Sequence, residues 1–64
     1  MKVGDIVMFV DEGRYARWFF GEVGEVISCS TKKSCRVKWL RPVKYHDGYT
    51  QVSDFKVDMF KVAE

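Results

Sequence analysis

At 64 residues and 7.5 kDa, the chain has room for one domain, residues 1–64, and one small core. Its composition, 47% hydrophobic and 16% aromatic, argues against a disordered segment even though 31% of its residues are charged. The net charge of +2 selects no partner, and no run approaches the roughly 18 apolar residues of a membrane helix, so no membrane partner is expected.

The aromatics answer the problem of size. Five Phe, three Tyr and two Trp are present, and each ring can bury roughly 150–250 Å². Charge is distributed unevenly. Residues 29–46 hold Lys32, Lys33, Arg36, Lys38, Arg41 and Lys44 with no acid, between two mildly acidic flanks.

The opening MKVGDIVMFV has an acid inside its apolar run and no small-residue cleavage site, unlike a signal peptide. With only two cysteines, a cytoplasmic, reducing location is the expectation. Val3 to Val10 is the first strand, with apolar groups on both faces. Such a strand either curls within a small barrel or keeps one face for a partner. The surplus predicts a weak homodimer through Ile6, Met8 and Val10, on the premise that this strand lies at an edge.

Asp11 to Trp18 is a loop, with room for one helical turn after Asp11, that interleaves Arg14, Tyr15, Arg17 and Trp18. Phe19 and Phe20 lead into the second strand, where the spacing of Val23, Val26 and Ile27 predicts a bulge near Gly24. The polar stretch Ser30 to Ser34 turns the chain. Cys35, Val37 and Trp39 then alternate with Arg36, Lys38 and Leu40, the clearest period-2 signal present. Pro42 ends this third strand or lets it continue only as an edge. Asp47-Gly48 is a favoured pair for a type I′ turn, which would pair His46 with Tyr49, Tyr45 with Thr50 and Val43 with Val52. Ser53 and Asp54 can cap a helical turn around Phe55, and Phe60 to Val62 is a brief last strand.

Five short strands with a helical turn before the last make an all-β domain. Gly4-Asp5-Ile6-Val7, Gly21-Glu22-Val23-Gly24-Glu25-Val26 and Val37-Lys38-Trp39 together resemble an SH3-like barrel of the Tudor-like or KOW type. The resemblance implies a binding module for peptides or nucleic acid. An OB-fold is the competing architecture, although it would normally need a longer chain.

Catalysis has little support. The single histidine, His46, falls at a hairpin turn, and no Ser or Cys has a base partner nearby in sequence. Cys29 and Cys35 would sit opposite one another on a hairpin centred at Lys32, within reach of a disulfide. Two reduced thiols, both serving as small buried hydrophobes, are the first expectation and a disulfide the second. With His46 they supply three metal ligands at most, so neither a metal nor a cofactor is expected.

Trp39, Phe9 and Phe60 read as core. Tyr15, Trp18, Tyr45 and Tyr49 lie on or near loops, where the resemblance implies a peptide groove or a cage for methylated side chains. Asp11, Glu12 or Asp47 would be the cage acid. Arg36, Lys38, Arg41 and Lys44, with Lys32 and Lys33 at the tip, form a basic stripe that could meet phosphates, beside Arg14 and Arg17. The reading is a non-catalytic binding module engaging a protein through this basic–aromatic surface. Nucleic acid is the alternative ligand, homo-oligomeric structural use is a third possibility, and an acidic partner is favoured for either ligand.

Overall fold

The alternation of Cys35, Val37 and Trp39 becomes the inward face of a long central strand. In the computed structural model, which describes residues 1–63, this is β3 (Ser34–Tyr45). The other strands are β1 (Ile6–Phe9), β2 (Val23–Cys29), β4 (Gly48–Lys56) and β5 (Phe60–Val62). All pair antiparallel in one five-stranded sheet of order β4-β3-β2-β1-β5, a four-strand meander with the last strand returned beside the first. A 3₁₀ turn (Val57–Met59) precedes β5, and one helical turn, α1 (Ala16–Phe19), lies between β1 and β2. No helix among the described residues is long and apolar enough to cross a membrane.

Val7, Phe9, Phe19, Val26, Cys35, Val37, Trp39, Val43 and Phe60 form the core, and among the described residues no polar or charged side chain is buried with them. Rings supply most of its substance. Phe9 meets Phe55 at 5.0 Å and Phe60 at 5.4 Å, both edge-on, and Phe19 stacks on Trp39 at 5.3 Å. Each such pair contributes about 0.5–1.5 kcal/mol beyond its buried area.

Several sequence expectations are corrected. β1 is shorter than Val3–Val10 and lies between β2 and β5, so the strand of Ile6 and Met8 is not the sheet edge it was expected to be. Val10 has already left the strand, and its amide donates to the Met59 carbonyl. The helical turn expected after Asp11 is α1, which ends at Phe19, so the chain reaches β2 only at Val23. Gly24 is not a bulge. It faces inward opposite Trp39 and Val7, and a Cβ there would lie 2.8 Å from the Lys38 carbonyl oxygen. The bulge comes later, at Ile27, between the pairs Val26–Val37 and Ser28–Arg36.

β3 continues past Pro42 as an edge relative to β2. Its last registered β2 partner is Gly24, opposite Trp39, and beyond Pro42 it pairs only with β4. The β3–β4 hairpin closes with Tyr45 opposite Gly48, so His46 and Asp47 are its central residues. His46 takes φ 56°, and Asp47 does not share the positive sign that a type I′ turn requires at both positions. Ser53 and Asp54 lie within β4 and cap nothing. Finally, Cys29 and Cys35 are joined by a disulfide, which overturns the expectation of two free buried thiols; only Cys35 is buried, and Cys29 is exposed. The hairpin places them directly opposite, with Cα atoms 3.9 Å apart.

Candidate ligand face

The loop before β2 is shaped by its own backbone. The Asp11 carboxylate accepts the Gly13 amide at 3.0 Å, and the Ala16 and Phe19 amides donate to the Gly13 and Tyr15 carbonyls to form α1. Gly21, at φ 82°, then turns the chain so that its amide reaches the Phe9 carbonyl at 2.8 Å. A Cβ would be strained at that angle. Between these fixed ends Phe19 is buried, and Tyr15 and Trp18 are carried against the β3–β4 hairpin.

There they meet the hairpin's own rings. Trp18 packs edge-on against Tyr45 at 4.9 Å and lies 4.7 Å from His46, and the Arg17 guanidinium sits 5.1 Å from the Trp18 ring centre. A shallow groove of about 460 Å³ runs beside this cluster, lined by Arg17, Arg41 and Lys44 with Trp18, His46 and Tyr49 among its other walls. A second, smaller cavity of about 250 Å³ opens between Tyr15, Phe19, Tyr45 and Phe55, with Thr50, Ser53 and Asp54 among its lining.

The basic residues foreseen as one surface divide into three groups. Arg14, Arg17 and Lys44 have no carboxylate partner among the described residues and lie at the α1 end, with Tyr15, Trp18, Tyr45 and Tyr49. Lys32 and Lys33 sit in the β2–β3 turn, where the Thr31 hydroxyl accepts the Lys33 and Ser34 amides, and this turn is at the opposite end of β3. The cations between them are attended by acids. Arg36 makes a two-point contact with Asp54, at 2.9 and 3.3 Å, and Lys38 is registered opposite Glu25. Arg41 lies 3.6 Å from Glu22. The hydrogen bond from Arg36 holds the Asp54 carboxyl below the usual carboxylate range, and the same pairing raises Arg36 further.

Sequence reasoning placed Asp11, Glu12 or Asp47 beside the rings. The acid that actually lines the ring cavity is Asp54, while Asp11 is occupied by its own turn. Phe55 and His46 were also missed as parts of this face. For Phe55 the signal lies in strand parity, since it is opposite Cys35 and so shares its side of the sheet, whereas His46 sits in the turn and has no such signal. Among the described residues no group of His, Cys, Asp and Glu could hold a metal ion. No protein-family model matches the chain, and no significant match exists among curated proteins or solved structures.

Proposed function

We propose that this protein is a non-catalytic binding module, built as an SH3-like barrel, that holds an acidic segment of a protein partner on the α1 and β3–β4 hairpin face. The meander with its fifth strand returned beside the first supports the barrel reading. The ligand reading is carried by one observation. Arg14, Arg17 and Lys44, cations without carboxylate partners, gather around rings that pack on each other and leave a cavity of side-chain size between them. Exposed cations such as these, facing a partner's carboxylates, steer encounter and set specificity.

Two features favour a protein over a nucleic acid. A phosphate track needs a run of free cations, whereas Arg36 and Arg41 are paired and Lys38 faces Glu25. Stacking needs ring faces open to bases, whereas Trp18 is covered by Arg17, Tyr45 and His46. Tyr49, 73% exposed beside Lys44, is the feature that favours single-stranded nucleic acid as a second reading. A cytoplasmic setting is proposed on the low cysteine count. The Cys29–Cys35 bridge counts against it, because disulfides persist chiefly in oxidising compartments.

The test is an amide-resolved NMR titration with a polyglutamate peptide and, separately, with short single-stranded DNA and RNA. The expected outcome is peptide-induced shifts at Arg17, the Trp18 indole, Lys44 and Tyr45 that disappear with Arg17→Glu and Lys44→Glu together. Shifts confined to Lys32 and Lys33, or tighter binding of oligonucleotide at physiological salt, would refute the protein reading.

A further inference from the structure

The cavity between α1 and β4 has a chemistry distinct from the cationic groove beside it. Its walls are Tyr15, Phe19, Tyr45 and Phe55. Phe19 is 5.2 Å from Phe55 and 5.4 Å from Tyr45, close enough to form a continuous floor. Tyr15 and Tyr45 stand wider apart, at 6.5 Å, and share their positions with the recess that holds Arg14 and Arg17. The volume, about 250 Å³, falls below the roughly 300–1,000 Å³ of small-molecule sites. It suits one large side chain.

Apart from the Tyr15 and Tyr45 hydroxyls, the polar side chains that line the cavity are already satisfied within the chain. Ser53 Oγ accepts the Trp39 indole N–H at 3.1 Å, and Thr50 Oγ1 donates to the Val52 carbonyl at 3.0 Å. Asp54 is held by Arg36 through two contacts. An apolar occupant would therefore strand none of these three groups. Aromatic walls also attract cations through their quadrupoles. Here the one rim carboxylate is neutralised by Arg36, and Arg14 and Arg17 approach from the neighbouring recess, so the local balance disfavours a positive guest.

We propose that this cavity is an anchor pocket for a single uncharged apolar or aromatic side chain of the partner, flanked on the same segment by acidic residues that reach Arg14, Arg17 and Lys44. The proposal rests on the acidic-partner reading above and adds the anchor to it. A buried apolar anchor inside a polar rim is the arrangement that concentrates binding energy in few residues.

The test compares blocked peptides of glutamates around one central residue, either tryptophan, alanine or trimethyl-lysine, titrated into the intact, disulfide-bonded protein. The tryptophan peptide should bind about tenfold or more tightly than the alanine peptide, as truncation of an anchor does. Its indole should shift the Tyr15, Tyr45 and Phe55 signals by ring current. Tyr15→Ala should abolish the preference while leaving the salt dependence, and Thr50→Trp, which fills the rim from an edge strand, should do the same if Tyr15→Ala fails to fold. Arg17→Glu should weaken both peptides alike and preserve their ratio. Equal binding of the tryptophan and alanine peptides would overturn the anchor and leave the acidic-partner reading standing. Tightest binding of the trimethyl-lysine peptide would overturn the apolar assignment. Failure of every peptide to bind the folded protein would overturn both readings.

Discussion

Reducing the Cys29–Cys35 disulfide should destabilise the protein by a calculable amount without unfolding it. The bridge joins residues with a sequence separation of 6. For so short a closed loop, the chain-entropy relation gives about 2 kcal/mol of stabilisation at 25 °C. A domain of this length has roughly 3–10 kcal/mol in total, so the reduced form stays folded at room temperature with a thinner margin. With the usual conversion for small domains, the midpoint should fall by about 8–16 °C. The assay is thermal and urea unfolding of the oxidised protein, the reduced protein, and the Cys29→Val, Cys35→Val double variant. The reduced protein should retain the same β-sheet spectrum. Local exchange should rise in the β2–β3 hairpin and at Val57, whose amide donates to the Lys33 carbonyl at 2.7 Å. An unchanged midpoint on reduction would show that the strand pairing alone fixes the hairpin. Complete unfolding would show that the core cannot stand without the bridge. Either result refutes the entropy argument.

Gly24→Ala should cost about 1–3 kcal/mol or more, because the new Cβ meets the Val37 side chain and the Lys38 carbonyl, and backbone cannot give way cheaply; urea unfolding checks this, and a neutral result would mean that β2 and β3 can separate without loss. The Arg36–Asp54 pair should add a small acid-side dependence to stability. Asp54's folded pKa is depressed, so its contribution is present above the ordinary carboxylate range and is lost as pH falls through the lower folded value. Asp54→Asn should remove that part of the slope in urea midpoints measured from neutral to strongly acidic pH, and an unaltered slope would assign it to other carboxylates. The effect is small because both side chains are largely exposed.

The most readable part of the fold was the part governed by strand parity. Cys35, Val37, Trp39 and Val43 face inward, as their alternation and apolar character require. Hairpin register was harder, for a physical reason. Pairing Tyr45 with Gly48 instead of Thr50 moves β4 by two residues, which leaves every side chain on the same face. Local pattern therefore cannot separate the two registers. Tertiary contacts decide, since Tyr45 is held against Trp18 and Phe19 from a loop more than twenty residues earlier. Ser53-Asp54 had the chemistry of a helix cap, yet both are occupied across the sheet, Ser53 by Trp39 and Asp54 by Arg36. Gly24 reads as a bulge by type, but its role is close approach, which depends on what lies opposite it.

The candidate site was legible in composition and not in arrangement. Residues 29–46 carry all the cations of the basic segment and no acid, which invites a reading of one positive stripe. Antiparallel pairing undoes that stripe, because strands from the acidic flanks lie on either side of β3. β2 brings Glu25 opposite Lys38, and β4 brings Asp54 opposite Arg36. The β2 entry also places Glu22 near Arg41. Charge that is segregated along the chain is thus mixed across the sheet. What escapes mixing is Lys44, beyond Pro42, where β3 has left β2 and its partner on β4 is Tyr49. Arg14 and Arg17 join it from a loop whose only fixed point in the core is Phe19. The free positive charge of this face is therefore set by where β3 parts from β2. A variant that extended the β2–β3 ladder past Trp39 would bring Glu22 into line with Arg41 and narrow the very groove that the partner is proposed to enter.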